Sequence, residues 1–250
     1  MKRPSYLILG STGAIGRALC QRLAKRGVSL VLGGRDPKKL NELAAATGGR
    51  PCPGDARDAA TVERAVAQAV ERYGRLDGAV NLVNLIEFSL FEPAHSPQSE
   101  DGNERVALNL RPAFHLVHCA AKALRGEGGS IVLVSPTTAN SGTVNREAIA
   151  AAEAGVKWLA KSATASLAAQ NVRVNCVAPG LVRTPLANRL TDLPTSLAAW
   201  KALRHLGCTS DPEDVAAAIA WLLDPANSRV SGQVVSVDGG LALLHGGARA

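Results

Sequence analysis

Short apolar runs alternate with longer amphipathic stretches from one end of the chain to the other. Tyr6–Leu9 has the length of a buried strand, and Val28–Leu32, a short stretch near Arg50–Cys52, Asp77–Asn81, Ser130–Ser135, Val172–Val177 and Gln233–Val237 read as further strands. Between them lie stretches with apolar residues at helical spacing. Arg17–Leu23 reads as a helix, and so does Pro37–Thr47, with Leu40 and Leu43 on one face. Ala59–Tyr73 repeats Val62, Ala65, Val66, Ala69 and Val70 at helix period and stops at Gly74. Glu104–Leu124 predicts a long helix, interrupted or bent near Pro112. Ala148–Ala169 predicts an alanine-rich helix. Leu186–Leu206 predicts a helical segment, and Pro212–Leu223 a helix capped by Asp211 with proline in its first turn. A loop runs through Pro93 and Pro97, and Gly126–Gly129 is a turn.

Repeated strand–helix units without a linker, repeat or low-complexity tract predict one α/β domain over residues 1–250. The expected architecture is a single Rossmann-type, doubly wound parallel sheet with helices on both faces. A chain of 250 residues that is 46% hydrophobic buries one large core. No apolar run is long enough to span a membrane, and Gly10 cuts Tyr6–Leu9 too short for a signal peptide. Cys20, Cys52, Cys119, Cys176 and Cys208 have neither paired nor metal-ligand spacing, so no metal is expected and the compartment reads as the reducing cytoplasm. The net charge of +7 raises nucleic acid as a partner. Dispersed arginines and an aromatic content of 3% argue against it, and a positive field suits an anionic cofactor instead.

The chemistry begins at the first turn. Gly10-Ser11-Thr12-Gly13-Ala14-Ile15-Gly16 stands between the first strand and the first helix. Glycine lets the backbone approach a diphosphate, and the helix N-terminus supplies free N–H donors. An acidic residue at the end of the second strand marks a ribose hydroxyl, whereas an arginine marks a 2′-phosphate. Here Gly33-Gly34-Arg35-Asp36 follows the second strand, so Arg35 favours NADP(H) over NAD(H).

These features and the later motifs together resemble the short-chain dehydrogenase/reductase family over the whole chain. The landmarks are Gly10–Gly16, Gly34-Arg35-Asp36, Asp55-Ala56 after the third strand and Asn81 at the end of the fourth. Asn109-Leu110 in the long helix, Val174–Thr184 with its Pro179, Gly180, Val182 and Thr184, and the ending Ser231–Gly240 complete the set. The resemblance implies that Gly10, Ser11, Thr12, Gly13, Ala14, Ile15, Gly16, Arg35, Asp55, Ala56, Asn81, Pro179, Gly180, Val182 and Thr184 hold the cofactor. It also departs from the family's usual Asn-Asn-Ala-Gly after the fourth strand. Asn81-Leu82-Val83-Asn84 stands there, with larger side chains that crowd the adenosine ribose.

Members of the family transfer hydride between nicotinamide and a carbonyl or alcohol. A tyrosine moves the proton, a lysine four residues on lowers its pKa, a serine holds the substrate oxygen and an asparagine completes a relay. Aligned on Gly128–Val134 and Ala154–Val156, the tyrosine position is Ile149, the lysine position Glu153 and the serine position Pro136, with Ser135 just before it. Asn109 alone survives, so Asn109, Ser135 and Glu153 are the candidate catalytic residues. Tyr6 and Tyr73, the only tyrosines, lie in segments remote from this site. Glu153 reads either as an acceptor for ribose hydroxyls or as a solvated residue at an empty pocket's edge. Lys157 stands one helical turn past it on the same face.

Two function classes follow. In the first, favoured here, the chain is a non-catalytic subunit or regulator that binds NADP(H). It then forms a homo-oligomer, dimer or tetramer, or joins an active paralogue through the two long helices. In the second it is an NADPH-dependent oxidoreductase, or a related lyase or isomerase, acting on a small carbonyl or alcohol with a noncanonical proton donor. Leu193, Leu197, Trp200 and Leu203 in Leu186–Leu206 predict a lid over a partly apolar ligand.

Overall fold

The computed structural model describes residues 3–84, 100–124, 126, 128–137, 147–184 and 209–240, with side chains from 106 in the second of these segments. The loop through Pro93 and Pro97, the loop after Thr137, the segment Leu186–Leu206 and Cys208 lie outside the described residues.

Seven strands form one parallel sheet: β1 (Ser5–Leu9), β2 (Ser29–Gly34), β3 (Arg50–Pro53), β4 (Gly78–Asn81), β5 (Gly129–Val134), β6 (Val172–Pro179) and β7 (Val234–Val237). Their order is β3-β2-β1-β4-β5-β6-β7. Leu9 registers with Gly33 on one side and with Asn81 on the other, so the ends of β1, β2 and β4 come level. The order reverses between β1 and β4. A crevice opens outside the carboxyl ends at such a reversal, and ligands bind there.

Among the described residues, six helices cover the two faces: α1 (Ala14–Lys25), α2 (Pro37–Thr47), α3 (Ala59–Tyr73), α4 (Glu100–Leu124), α5 (Glu147–Leu167) and α6 (Pro212–Leu223). One core joins α3, α4 and α5 to the sheet through residues such as Val62, Leu116 and Val156. The other joins α1, α2 and α6 through Leu19, Leu40 and Ile219. Because both faces are covered, β1 is buried along its whole length and reads as an unbroken apolar run.

Local chemistry sets the helix ends. Asp36 caps α2, its carboxylate accepting from the backbone N–H groups of Lys38 and Lys39 at 3.0 and 3.2 Å. Asp58 does the same for α3 through Ala60 at 3.1 Å, and Gly74 closes that helix in the left-handed conformation. At α6 the carboxylate of Asp214 accepts from the N–H of Asp211 at 2.8 Å. The helix α4 is not interrupted at Pro112. The lost backbone hydrogen bond is offset by packing, since Ala113, Leu116 and Ala120 on the same helix are fully buried. Residues Ala168–Gln170 form a 3₁₀ turn rather than the last turn of α5. Among the described residues no helix is long and apolar enough to cross a membrane, and no group of three His, Cys, Asp or Glu residues is placed to hold a metal.

Candidate active site

The turn after β1 is built by its glycines. Gly10 has φ +79°, in the left-handed region, and its N–H and that of Ser11 both donate to the Gly33 carbonyl, at 3.0 and 3.1 Å. A Cβ on Gly16 would lie 2.4 Å from the Gly10 carbonyl oxygen, so no other residue fits there. The Ser11 hydroxyl is buried and donates to Gly33 O at 3.1 Å, fixing the turn to β2 rather than facing a ligand. Helix α1 then starts at Ala14, three residues earlier than the sequence pattern predicts, so Ala14, Ile15 and Gly16 form its first turn. Gly13 caps it without any side-chain hydrogen bond, leaving first-turn N–H groups for a phosphate.

A cavity of about 280 Å³ opens beside this turn. Gly10, Thr12, Gly13, Gly34, Arg35, Asp55 and Ala56 line it, which brings together most of the cofactor residues predicted on the β2–β3 side. Arg35 is exposed at its edge. Asp55 does more than face the cavity. Its carboxylate accepts from the Arg57 backbone N–H at 2.9 Å, from Nε at 2.9 Å and from Nη2 at 2.7 Å. The hydrogen bonds from Arg57, with Arg35 adding its charge, hold the Asp55 carboxyl below the usual carboxylate range. Arg57 also lines the cavity, a residue the sequence pattern did not single out. Its only signal was a spacing of two from Asp55.

The segment after β4 forms the opposite wall. Asn81 is 1% exposed and bonds back to Val83 through both ends of its amide, at 3.4 Å each, so it shapes the wall from behind. Leu82, Val83 and Asn84 line the cavity, with Leu108 of α4 next to the buried Asn109. The Asn84 side-chain oxygen is buried without a hydrogen-bond partner. A turn in which Gly16 has no room for a Cβ, uncapped helix N–H groups and an arginine at the edge fit a dinucleotide.

Pro179, Gly180, Val182 and Thr184 stand at the carboxyl end of β6, apart from this cavity. The Thr137 hydroxyl donates to Pro179 O at 3.3 Å, and Gly180 N–H donates to Val237 O at 3.0 Å. Val182 bridges to Ser210, and the Arg183 guanidinium forks onto the Asp211 carboxylate at 2.6 and 2.5 Å, tying this segment to the start of α6.

Ser135 and Glu153 do come together. Ser135 is fully buried, and its hydroxyl donates to the Glu153 backbone carbonyl at 2.9 Å. Glu153 itself is 2% exposed, which removes the reading of it as a solvated edge residue. Lys157 reaches back from the next turn, Nζ donating to Pro136 O at 3.2 Å. Burial pushes the Lys157 ammonium below the ordinary lysine value, while Cys176 and Glu153 pull it back up. Ile149, on the same helix, is buried and aliphatic. Burial raises Tyr6 in β1 to about 12, and the Tyr73 hydroxyl is bonded to Leu30 O at 3.3 Å.

A family profile described as Enoyl-(Acyl carrier protein) reductase matches residues 10–242. The chain is 30% identical over 243 residues to the 3-oxoacyl-(acyl-carrier-protein) reductase of Thermotoga maritima, covering 95% of this chain and 97% of that one. Over 241 residues it is 30% identical to a tropinone reductase homolog of Arabidopsis thaliana, covering 95% and 91%. Among solved structures, a short-chain type dehydrogenase/reductase from Mycobacterium ulcerans superposes with a TM-score of 0.91 at 31% identity, covering 98% and 92%. Levodione reductase superposes with a TM-score of 0.87 at 27% identity, covering 97% and 98%.

Proposed function

The chain belongs to the short-chain dehydrogenase/reductase family, whose members use nicotinamide cofactors, and on that premise we propose that it binds NADP(H) but has lost the family's standard proton chemistry. It acts as a non-catalytic subunit or regulator in the cytoplasm. The observation that carries this reading is at the proton-transfer end. Ile149 has no proton to give, the Ser135 hydroxyl donates to the Glu153 carbonyl, and one of the three Lys157 donors goes to the Pro136 carbonyl. Groups that would serve a substrate oxygen are bonded to backbone instead. The cofactor end is mostly intact by contrast, the segment Asn81–Asn84 excepted. Gly10, Gly13 and the first turn of α1 would hold the diphosphate, and Arg35 would hold a 2′-phosphate. When bound, the cofactor supplies a nicotinamide that can carry a hydride.

Partner binding belongs to the same reading. A groove between α4 and α5 is lined by Leu110, Phe114, Gly155, Trp158 and Leu159. Phe114 is 56% and Trp158 68% exposed, more than an isolated subunit would gain from. A second copy of this chain, or a paralogue that has kept tyrosine and lysine, covers this face. One observation favours working chemistry instead: Glu153 is a buried carboxyl with a lysine one turn away, a pairing that can hold a proton. On that reading the chain is an oxidoreductase, or a related lyase or isomerase, with Glu153, Asn109 and Ser135 as its candidate catalytic residues.

Fluorescence titration with NADPH and NADH, followed by NADPH oxidation assays over a panel of small carbonyl compounds, tests the proposal. NADPH binding that is tighter than NADH binding, with no sustained oxidation, is the expected result. Steady turnover by the homogeneous protein overturns the non-catalytic reading, and no binding of either nucleotide overturns the cofactor reading.

A further inference from the structure

We infer that Arg17 is a positioning residue for the cofactor's diphosphate: tethered to the Thr12 carbonyl, its guanidinium sets the turn after β1 and holds a permanent cation in front of α1. The inference rests on the NADP(H) reading and adds to it a residue that lies outside the glycine motif.

Arg17 is half-buried in the first part of α1, and its backbone N–H donates to Gly13 O at 2.8 Å. Its side chain runs back toward the helix N-terminus, as helical side chains do, and Nε donates to Thr12 O at 3.1 Å. The bond carries the guanidinium back to the residue before Gly13, the cap. That end of a helix is unfavourable for a cation, because the aligned peptide dipoles and the free N–H groups already make it positive. Arg22 and Lys25, in the last turn of the same helix, stand where a cation is favourable. The first turn has no acidic residue to offset Arg17, and among the described residues Arg17 forms no ion pair. Arginine cannot shed its charge at ordinary pH. The free chain therefore holds an uncompensated cation that an arriving anion compensates.

The tether has a second consequence. Thr12 lines the dinucleotide cavity, and a Cβ on Gly34 would lie 3.4 Å from its hydroxyl. The Thr12 carbonyl belongs to the same turn, and an unbonded carbonyl oxygen there repels phosphate. Donation from Arg17 cancels that repulsion. Arg35 serves the 2′ position, where the two nicotinamide cofactors differ. Arg17 stands at the start of α1, where they are alike, so its effect is common to both.

Calorimetric titration of the native full chain, Arg17→Met and Arg17→Lys with NADPH and with NADH tests this. Arg17→Met is expected to lose about tenfold in affinity for both nucleotides, with their ratio unchanged and a shallower dependence on salt. Arg17→Lys keeps the charge and recovers most of that loss. Without ligand, the three proteins melt within about two degrees of one another, as expected for a change at a half-exposed side chain. A loss confined to NADPH overturns the inference and makes Arg17 a 2′-phosphate residue. Unchanged affinity in Arg17→Met, or an Arg17→Lys no better than Arg17→Met, overturns it as well. A ligand-free Arg17→Met that melts many degrees lower also overturns it and assigns the residue to the fold alone. No binding of either nucleotide by the native protein overturns the NADP(H) reading and this inference with it.

Discussion

Ser135 donates its hydroxyl hydrogen to the backbone carbonyl of Glu153 across 2.9 Å, joining the end of β5 to the middle of α5. The bond is buried, and Lys157 makes a parallel tie from α5 to Pro136 O. The backbone of α5 and the lysine therefore tie helix to sheet, and the Glu153 side chain is buried with them. Glu153 and Lys157 cannot be exchanged one at a time. Glu153→Lys would place a second buried ammonium one turn from Lys157. The expected loss is about 3–5 kcal/mol, the range for a buried charge left without its counter-charge. Urea unfolding reads it directly. Ile149→Tyr with Glu153→Lys should be as unstable, and adding Lys157→Met should recover much of the loss.

The phosphate turn predicts a sharper failure. Gly16→Ala puts a methyl 2.4 Å from the Gly10 carbonyl oxygen, a backbone atom that cannot step aside without opening the turn. NADPH affinity should fall by more than about a hundredfold, as expected when a phosphate site loses several charge-assisted bonds. A Cβ at Gly13 would find its nearest neighbour 3.4 Å away, so Gly13→Ala should lose far less. Tryptophan and NADPH fluorescence titrations on the two variants separate these outcomes.

Arg35 should decide between the two nicotinamide cofactors. It is exposed at the cavity edge, where a charge-assisted bond to phosphate contributes about 1.5–3 kcal/mol. Arg35→Ser should weaken NADPH by about tenfold to a hundredfold and leave NADH nearly unchanged. Raising the salt concentration should narrow the native preference as well, because the contact is open to solvent. Parallel titrations at two ionic strengths provide the check.

Most of the sheet is legible in the residue pattern because strands buried on both faces, such as Tyr6–Leu9 and Ile131–Val134, read as continuous apolar runs. The start of α1 is less legible. Ala14 to Gly16 follow a glycine turn, and no capping side chain marks where the turn ends. Pro112 misleads in the other direction, since tertiary packing carries α4 through it. At the site, Gly10–Gly16, Arg35 and Asp55 announce themselves by motif. Arg57 and the orphaned Asn84 oxygen do not, because hydrogen-bond partnership is decided by what folds opposite a side chain. The burial of Glu153 was invisible for the same reason: a glutamate in an alanine-rich helix looks alike on either face.

Alkaline pH should destabilise the protein through its buried thiols. Burial raises Cys20 and Cys176 from 9.0 to about 12. The unfolded chain releases these protons above about 9, whereas the folded chain holds them to about 12. The unfolded state thus binds fewer protons across that window, and stability falls as pH rises through it. Below 9 the contribution is fully present. Cys20→Ala should start slightly less stable at neutral pH and lose less between pH 9 and 11. Urea midpoints at stepped pH values test the sign, and native Cys20 should resist thiol reagents at pH 8.

The exposed rings on α4 and α5 give the last expectation. Trp158 carries the Lys161 ammonium 4.5 Å above its ring, and Phe114 stacks on His118 with centroids 6.4 Å apart, so both rings are held in place at the surface. The groove between them includes Gly155, where a Cβ would meet the Leu110 side chain at 3.4 Å, so the small residue keeps α4 and α5 close beneath the rings. Aromatic anchors beside a small-residue floor are what a helix-to-helix contact uses, and burying two such rings is worth about 2–4 kcal/mol at each copy. Trp158→Glu should convert the assembly to monomers in sedimentation experiments while leaving NADPH affinity within about twofold, because the groove and the dinucleotide cavity share no lining residue. A native protein that already sediments as a monomer at micromolar concentration would leave this face to a paralogue, and co-purification from the native host would then identify that chain by its intact tyrosine and lysine.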